Sequence, residues 1–388
     1  MDNLLKELDL RKQKMIDIYR YLHQHPELSF QESETARYIA DFYRKLGINV
    51  REGVSGNGVI AILDSGKPGK SIAIRADFDA LPIQEETGLE WASLAPGVMH
   101  ACGHDAHTAC LLVLAESLLS IKDELTGKIT FIHQPAEEKL PGGAIEMINA
   151  GVLEGIDEIY GLHLSSFDPT GTVLYREGET MAGNMKFEIT IHGRGGHAAH
   201  PEDTVDAILV ASQFVVSAQS IVSRMINPER SAVVSIGDFR GEGASNIIQD
   251  QVTLSGGARF FDEESHRVIR DRLEQILRGV CDTYGATYEI NYIEGYPVLV
   301  NDPDATRRAK DALINAQIAE VKEAGMGTSS EDFAYYLQRI PGSYFFVGCA
   351  QEGQPITPHH SPKFQIDERA LLIAAKSMGA VVLDALES

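Results

Sequence analysis

The chain has 388 residues, of which 44% are hydrophobic and 23% charged, so it has the composition of a soluble globular protein and exceeds one ordinary core. Its 34 basic and 56 acidic residues give a net charge of −22, which disfavours nucleic acids and anionic membranes as partners. The four cysteines form no disulfide framework and suit a reducing compartment. With no signal-peptide core and no run of membrane-span length, we expect a cytoplasmic protein.

The first part of the chain alternates helices with short strands. Apolar periodicity predicts helices over residues 3–25, 32–46, 105–120 and 142–150, with Pro26 ending the first. Runs rich in β-branched residues predict strands over 59–63, 71–76, 128–133 and 156–162. This alternation indicates an α/β fold with a mostly parallel sheet covered on both faces.

The middle of the chain has a different order of elements. Strands are predicted over 185–192, 231–239, 250–260 and 286–292, with helices over 203–225 and 262–284. This β-α-β-β-α-β order is that of a ferredoxin-like sandwich. We therefore predict an inserted domain over residues 183–294, whose sheet edges make a homodimer through this domain plausible.

The last part returns to the first domain. Helices are predicted over 303–318, 330–338 and 368–386, the second capped by Ser329 or Ser330, with a strand over 343–348. The catalytic, metal-binding domain is thus predicted to comprise residues 1–182 and 295–388.

One short stretch, Met99–Cys110, is rich in metal-ligand side chains. His100, Cys102, His104 and His107 fall within eight positions. Gly103 lets the backbone turn so that a thiolate and an imidazole can point at one spot. An apolar core has no use for so many imidazoles, and the group therefore predicts a metal site.

Other ligand-type residues follow predicted strands. Three strands end at Asp77 and Asp79, at Glu137 and Glu138, and at His163. In open α/β sheets, ligands bind beyond the carboxyl ends of the strands, where the loop before the 105–120 helix also lies. Independent segments therefore deliver ligands to one rim of the sheet.

Four motifs in this order resemble a known family: Cys-Gly-His-Asp at 102–105, Gln-Pro-Ala-Glu-Glu at 134–138, Gly-Leu-His at 161–163 and His-Ser-Pro-Lys-Phe at 360–364. The chain resembles the dinuclear-metal amidohydrolases that include bacterial aminoacylases, hippurate hydrolases and plant auxin-conjugate (IAA-amino acid) hydrolases. Further matching stretches lie at 23–29, 75–82, 195–201 and 330–336, so the resemblance runs nearly end to end. It implies a catalytic domain of the zinc-carboxypeptidase type with an inserted ferredoxin-like α+β domain.

The resemblance also implies a ligand set. Cys102, His104, Glu138, His163 and His360 would bind two divalent metal ions, with Cys102 bridging them. Such a pair, about 3.5–4 Å apart, can share one water, lower its pKa and polarise an amide carbonyl. The adjacent Glu137 would be the general base, a role worth about 10²–10⁴ in rate. A thiolate bridge favours zinc, but manganese, cobalt and nickel stay open.

Three residues of the inserted domain complete the implied site. His197 would reach the metal site of the partner subunit and steady the tetrahedral oxyanion. Asn246 and Arg259 would bind the substrate carboxylate, the arginine through a bidentate fork. His100, His107 and His359 are interpreted as supporting or loop residues, with Asp77, Asp79 or Asp105 available to orient the ligating histidines.

The leading hypothesis is hydrolysis of an N-acyl amino acid, a small-molecule substrate, by metal-activated water and Glu137. On the same scaffold, a dipeptidase or carboxypeptidase and an N-acetyldiaminopimelate deacetylase are alternatives, and the acyl group stays open. An alternative from another class is a cysteine hydrolase with Cys102 as the nucleophile. That mechanism would give the other ligand-type residues no role. A non-catalytic scaffold would have lost some of these residues, and none is missing.

Overall fold

The computed structural model describes residues 1–388 and divides into two compact units. The first unit comprises Met1–Gly178, Val300–Gly325 and Glu331–Ser388, and the second comprises Glu179–Leu299 and Met326–Ser330. The chain leaves and re-enters the first unit a few residues outside the predicted boundaries of 183 and 294. The short stretch 326–330 joins the second unit, although the sequence places it with the first.

The helices are, in chain order, α1 (Asp2–Leu10), α2 (Lys12–Gln24), α3 (Ser33–Leu46), α4 (His104–Ser120), α5 (Gly143–Asn149), α6 (Ala207–Ala218), α7 (Glu263–Tyr284), α8 (Pro303–Ala316), α9 (Ala334–Leu337) and α10 (Arg369–Glu387). The strands are β1 (Asn49–Val54), β2 (Gly58–Asp64), β3 (Ser71–Asp77), β4 (Lys128–Gln134), β5 (Glu158–Pro169), β6 (Thr172–Tyr175), β7 (Gly178–Met181), β8 (Gly183–His192), β9 (Gly196–His197), β10 (Ala232–Arg240), β11 (Ile247–Ile248), β12 (Gln251–Phe260), β13 (Thr287–Glu294), β14 (Leu299–Asn301), β15 (Glu320–Glu323) and β16 (Gly342–Ala350).

The first unit is built on an eight-stranded sheet in the order β1-β2-β4-β3-β5-β16-β6-β15. Its four central strands, β4, β3, β5 and β16, run parallel to one another. Nearly every residue of β3 is buried, as expected for a strand that is covered on both faces. The helix α4 is apolar almost all round and is buried along most of its length. The predicted α/β class with a mostly parallel sheet is confirmed.

The second unit contains a four-stranded antiparallel sheet in the order β10-β12-β8-β13. Its inward residues alternate along β8, where Phe187 and Ile189 are buried in a core that also contains Phe214 of α6 and Leu273 of α7. The strand order and the intervening helices are those of the predicted ferredoxin-like arrangement, which is confirmed.

Several predicted boundaries are wrong for identifiable reasons. The helix predicted over 3–25 breaks at Arg11 into α1 and α2. The helix predicted over 330–338 shrinks to α9, because the side chains before it bind the interior of the first unit instead of capping a helix. Strand β5 continues to Pro169, so His163 lies within a strand and not at its end. The edge strand β1, with mostly exposed polar residues, carries little periodic signal and is missed.

The predicted helix over 203–225 is also divided, into α6 and a separate helical turn at Ile221–Met225. The combined stretch Ala207–Met225 is long and apolar enough to cross a membrane by length and composition alone, which differs from the expectation that no run approaches that length. Val210 and Phe214 pack into the core of the second unit, and a single helix of this kind is weak evidence for a membrane span.

Candidate metal centre

The start of α4 carries two of the predicted ligands. Gly103 has a φ of 88°, in the left-handed region, and directly precedes His104, the first residue of the helix. Because glycine adopts this conformation without steric cost, the chain turns sharply between Cys102 and His104. The two side chains consequently lie together at the helix start, as the sequence predicts.

The His104 ring is oriented through one of its nitrogens. Its Nδ1 lies 3.0 Å from the backbone oxygen of Asp79 and 3.1 Å from its Oδ1. Since both partners are acceptors, Nδ1 carries a proton, and Nε2 is the nitrogen that is left for a metal ion. Burial lowers the pKa of His104, but Asp77 and Asp79 outweigh that effect and raise it to about 10. The surroundings of this ring therefore stabilise positive charge.

His163 approaches the same point from β5. Its Nδ1 donates to the backbone oxygen of Leu164 at 2.7 Å, and its Nε2 lies 3.5 Å from Cys102 Sγ. Burial and the neighbouring imidazoles, His107 foremost, hold the pKa of His163 well below its usual value. The ring is thus neutral, with a lone pair directed at the thiol.

Glu138 and His360 bring the fourth and fifth predicted ligands from two loops. Glu138 Oε1 lies 3.1 Å from His360 Nε2 and 3.9 Å from His104 Nε2. His360 and Ala136 both adopt left-handed backbone conformations, with φ of 63° and 54°. Non-glycine residues in this region cluster at functional sites, where the surrounding structure holds them in place.

The five predicted ligands therefore converge. They form three overlapping groups, and within each group one ligand atom of every residue lies within 4.8 Å of those of the other two. The groups are Cys102, His104 and His163; Cys102, Glu138 and His360; and His104, Glu137 and Glu138. Cys102, His104 and Glu138 each belong to two of these groups, so the groups form one continuous cluster. Their assignment as ligands stays a prediction.

The residues fit a metal ion. His104 Nε2 is buried without a hydrogen-bond partner, although an unpartnered buried polar atom is costly. Burial, Glu138 and Glu137 raise the pKa of the Cys102 thiol well above its usual range, so its thiolate needs a compensating cation. Thiolate, imidazole and carboxylate together are the donors that zinc and its neighbours bind.

Glu137 lies beside this centre among other buried acids. Its carboxylate is within 4.8 Å of those of Glu331 and Asp332. Burial and then Glu331 raise the pKa of Glu137 well above its usual value. Arg75, itself buried, donates to Glu331 at 3.0 Å and to Asp332 at 2.8 Å and so offsets part of this negative charge.

Sequence reasoning missed this arginine and both acids as parts of the site. Arg75 lies on β3, whereas Glu331 and Asp332 lie more than 250 positions away, so only the fold brings them together. The one available signal is that both stretches, 75–82 and 330–336, belong to the family resemblance.

Two other histidines of the region form hydrogen bonds within the protein, whereas both ring nitrogens of the buried His100 have no hydrogen-bond partner. His107 donates from Nδ1 to Asp77 at 2.7 Å and accepts at Nε2 from the Leu164 backbone N–H at 3.0 Å, so it has no lone pair left for a metal. His359 accepts at Nε2 from the Ser166 N–H at 3.3 Å. These contacts fit the prediction that both are supporting residues.

The three remaining predicted residues lie in the second unit. His197 and Asn246 come together on a short ladder, where β9 pairs with β11 and the Ala198 N–H donates to the Asn246 carbonyl at 3.0 Å. Arg259 is half-buried on β12 and donates to Ser330 Oγ at 3.2 Å. Their roles stay predictions.

With this geometry, the chain can be compared with known proteins. The model of peptidase family M20/M25/M40 matches residues 73–384. Thermostable carboxypeptidase 1 of Saccharolobus solfataricus is 41% identical over 93% of this chain and 92% of its own. N-acetyl-L-cysteine deacetylase of Bacillus subtilis is 40% identical over 95% and 87%. N-acyl-L-amino acid amidohydrolase of Geobacillus stearothermophilus is 41% identical over 77% and 81%.

A solved structure points the same way. The Bacillus subtilis YXEP protein, described as a dinuclear metal binding peptidase from the M20 family, has a TM-score of 0.86 and 35% identity, with 98% of this chain and 99% of that one covered. Fold and site together define a metal-dependent hydrolase of C–N bonds, as predicted. The chain belongs to peptidase family M20/M25/M40.

Proposed function

We propose that the chain hydrolyses the amide bond of N-acyl amino acids with the help of two divalent metal ions. The observation that carries this proposal is the convergence of Cys102, His104, Glu138, His163 and His360 beside the Glu137 carboxylate. The relatives named for N-acyl amino acid and N-acetylcysteine hydrolysis support the substrate class.

Those five residues would hold the ions, with Cys102 shared between them. When bound, the ions supply Lewis-acid polarisation of the amide carbonyl and a lowered pKa for water. The protein prepares the ligands: Asp79 fixes the His104 ring, and the Leu164 carbonyl fixes the His163 ring.

Glu137 is proposed to remove a proton from the attacking water and return it to the leaving nitrogen. Its raised pKa suits the second step, in which a protonated carboxyl must donate. Cations held beside Glu137 would offset its repulsion by Glu331. They would thereby favour the ionised carboxylate, which the first step needs.

The second unit is proposed to hold the substrate and the oxyanion. His197 accepts at Nδ1 from the Ala199 N–H at 3.0 Å, so its Nε2 carries the proton and can donate to an oxyanion of the partner's site. Arg259 uses one of its five N–H groups on Ser330, and its others can bind a substrate carboxylate together with Asn246.

Self-association through the second unit is part of this proposal. Exposed apolar side chains line α6 at Leu209 and Val216 and the edge strand β10 at Val233 and Phe239. An edge strand with apolar outward residues invites pairing with a second copy of the sheet. Sedimentation velocity should show a dimer, and Val233→Asp should shift it to monomer. A wild-type monomer at micromolar concentration would contradict the proposal.

A second candidate is a carboxypeptidase or dipeptidase on the same site, which the carboxypeptidase relative favours. The cysteine-nucleophile hypothesis finds less support. An activated thiolate needs a lowered thiol pKa, whereas burial, Glu138 and Glu137 raise the pKa of Cys102.

Hydrolysis assays with N-acyl amino acids and dipeptides, each with zinc, manganese, cobalt or nickel, test the proposal. We expect N-acyl amino acids to give the highest kcat/KM, and a preference for dipeptides would favour the second candidate. Glu137→Gln should retain the fold and the bound metal but lose about 10²–10⁴-fold in kcat. Near-normal turnover of that variant would refute the assigned base.

A further inference from the structure

The stretch 27–32 belongs to the first unit and has no part in the proposed chemistry. It lies alongside the residues that follow β3, because Leu28 forms a parallel β-bridge with Ala80 and the Ala80 N–H donates to the Glu27 carbonyl at 2.8 Å. Ser29 and Glu32 within it are both buried. A buried hydroxyl and a buried carboxylate need hydrogen-bond partners, and each of these two has one partner beside the predicted metal ligands.

Glu32 has no exposed surface, and its carboxylate accepts two hydrogen bonds. Oε1 accepts from the Ala136 backbone N–H at 2.9 Å, and Oε2 accepts from Asn57 Nδ2 at 3.0 Å. Although α3 begins at the next residue, Glu32 does not cap it. Glu27 does so instead, by accepting from the Thr35 N–H at 2.7 Å. One oxygen of the Glu32 carboxylate therefore binds the loop that carries Glu137.

The residue that Glu32 holds is in a disfavoured conformation. Ala136 has a φ of 54° and is fully buried. Its N–H is held by Glu32, and its carbonyl accepts from the Gly143 N–H at 3.0 Å. A left-handed alanine persists only where its surroundings fix it, and here both of its polar backbone groups are bound.

The same stretch also reaches the neighbouring ligand. Ser29 Oγ donates to Asp79 Oδ2 at 2.7 Å, and that oxygen accepts from the Glu138 N–H at 3.0 Å. The backbone N–H groups of Ala136 and Glu138, the two neighbours of Glu137, are thereby tied to the stretch 27–32, the first directly and the second through Asp79.

We propose that Glu32 is a positioning residue for Glu137: by holding the Ala136 N–H it fixes the left-handed turn that directs the Glu137 carboxylate into the site. This inference deepens the proposed function and rests on it. Glu32 itself touches neither the metal ligands nor the reacting atoms.

The test compares Glu32→Asp with Glu32→Gln. Aspartate keeps the charge but is one methylene too short to reach Ala136, whereas glutamine keeps an acceptor at the right length and Asn57 can turn its amide to match. We expect Glu32→Asp to lower kcat about 10²-fold, with KM within about threefold and the bound metal unchanged. Glu32→Gln should stay within about threefold of wild-type kcat.

Glu27→Gln is the matched control, because it alters the cap of α3 and leaves Ala136 alone. It should lower thermal stability without lowering kcat. An equal loss of kcat in Glu27→Gln and Glu32→Asp would overturn the positioning role, as would wild-type kcat in Glu32→Asp.

Two readouts separate this inference from the proposed function. Hydrogen exchange at the Ala136 amide should be faster in Glu32→Asp than in Glu32→Gln, whatever the reaction, and equal exchange would overturn the anchor. In a Glu137→Gln background, Glu32→Asp should cause no further loss of kcat, and an additive loss would overturn the role. If Glu137→Gln itself stays active, the proposed function fails while the exchange result still reports on the anchor.

Discussion

The hydrogen bonds of the two ring nitrogens separate the histidines that could bind a metal ion from those that could not. In His104 and His163, Nδ1 donates a hydrogen bond to an oxygen atom and Nε2 is left for a metal ion. In His107, both ring nitrogens form hydrogen bonds within the protein. The family resemblance predicts His104 and His163 as ligands and His107 as a supporting residue. Spacing alone could not separate His104 from His107, because their contacts are with Asp79 and with Asp77 and Leu164, which are distant in sequence.

Cys102 and Cys110 offer a direct comparison at the residue scale. Both are free thiols near the start of α4, but Cys110 is buried against the Leu371 carbonyl, at 3.2 Å from its Sγ. We expect Cys102→Ala to lose bound metal after gel filtration, because the shared ligand is gone, while Cys110→Ala keeps it. Elemental analysis of both variants decides, and equal metal content would argue against a bridging Cys102.

His23 predicts a pH dependence of stability. Burial lowers its pKa, but contacts with Asp105 at 2.7 Å and Glu85 at 3.3 Å outweigh burial and raise it to about 9. Because the folded pKa lies above the unfolded value of about 6.5, the stabilisation is complete below about pH 6.5 and is lost as the pH rises through about 9. Each unit of this difference corresponds to about 1.4 kcal/mol.

Urea unfolding at about pH 6 and about pH 9.5 measures this effect. The free energy of unfolding should fall between the two pH values by more in the wild type than in His23→Gln. The exposed His25, at the end of the same helix, supplies the control, since His25→Gln should retain the wild-type fall. Parallel pH curves for wild type and His23→Gln would show that His23 is not charged in the folded protein.

At the scale of elements, the loop between β4 and α5 is shaped by backbone contact. A Cβ on Gly143 would lie 1.9 Å from the Pro135 carbonyl oxygen, so no side chain fits there. Because the two backbone segments lie so close, the Gly143 N–H can donate to the Ala136 carbonyl. The next N–H, that of Ala144, donates to Asp332 Oδ2 at 3.0 Å. The start of α5 is thus part of the support of the centre.

Gly143→Ala should therefore destabilise the protein by about 1–3 kcal/mol, because the backbone must move to relieve the clash. Gly279, inside α7, is the control: an added Cβ meets nothing within 4 Å, so Gly279→Ala should stabilise by about 0.5–1 kcal/mol. Chemical denaturation measures both changes. A neutral Gly143→Ala would mean that this loop is not held as tightly as its contacts indicate.

Periodicity was sufficient to predict the elements with a continuous apolar face, such as β3, α4 and α7. It failed where an element is short or is set by distant partners. The helix predicted to start at Ser330 is the clearest case, since Glu331 and Asp332 turn inward to Arg75 and a helix begins only at Ala334. For the same reason, the motifs predict a ligand set but not the contact of Glu32 with Ala136, which joins residues 104 positions apart.

At the scale of the whole molecule, the two units divide the proposed work. The first contains every predicted metal ligand and Glu137, and the second contains His197, Asn246 and Arg259. The net charge of −22 suits a protein that takes up small molecules and not polyanions.

The most direct test is to strip the purified protein of its metal ions with a chelator and follow hydrolysis of the best N-acyl amino acid from the assays. We expect hydrolysis to vanish and to return when zinc, manganese, cobalt or nickel is added back, with about two ions bound per chain at full recovery. Undiminished hydrolysis by a protein that elemental analysis shows to be free of metal would contradict the assignment of this centre.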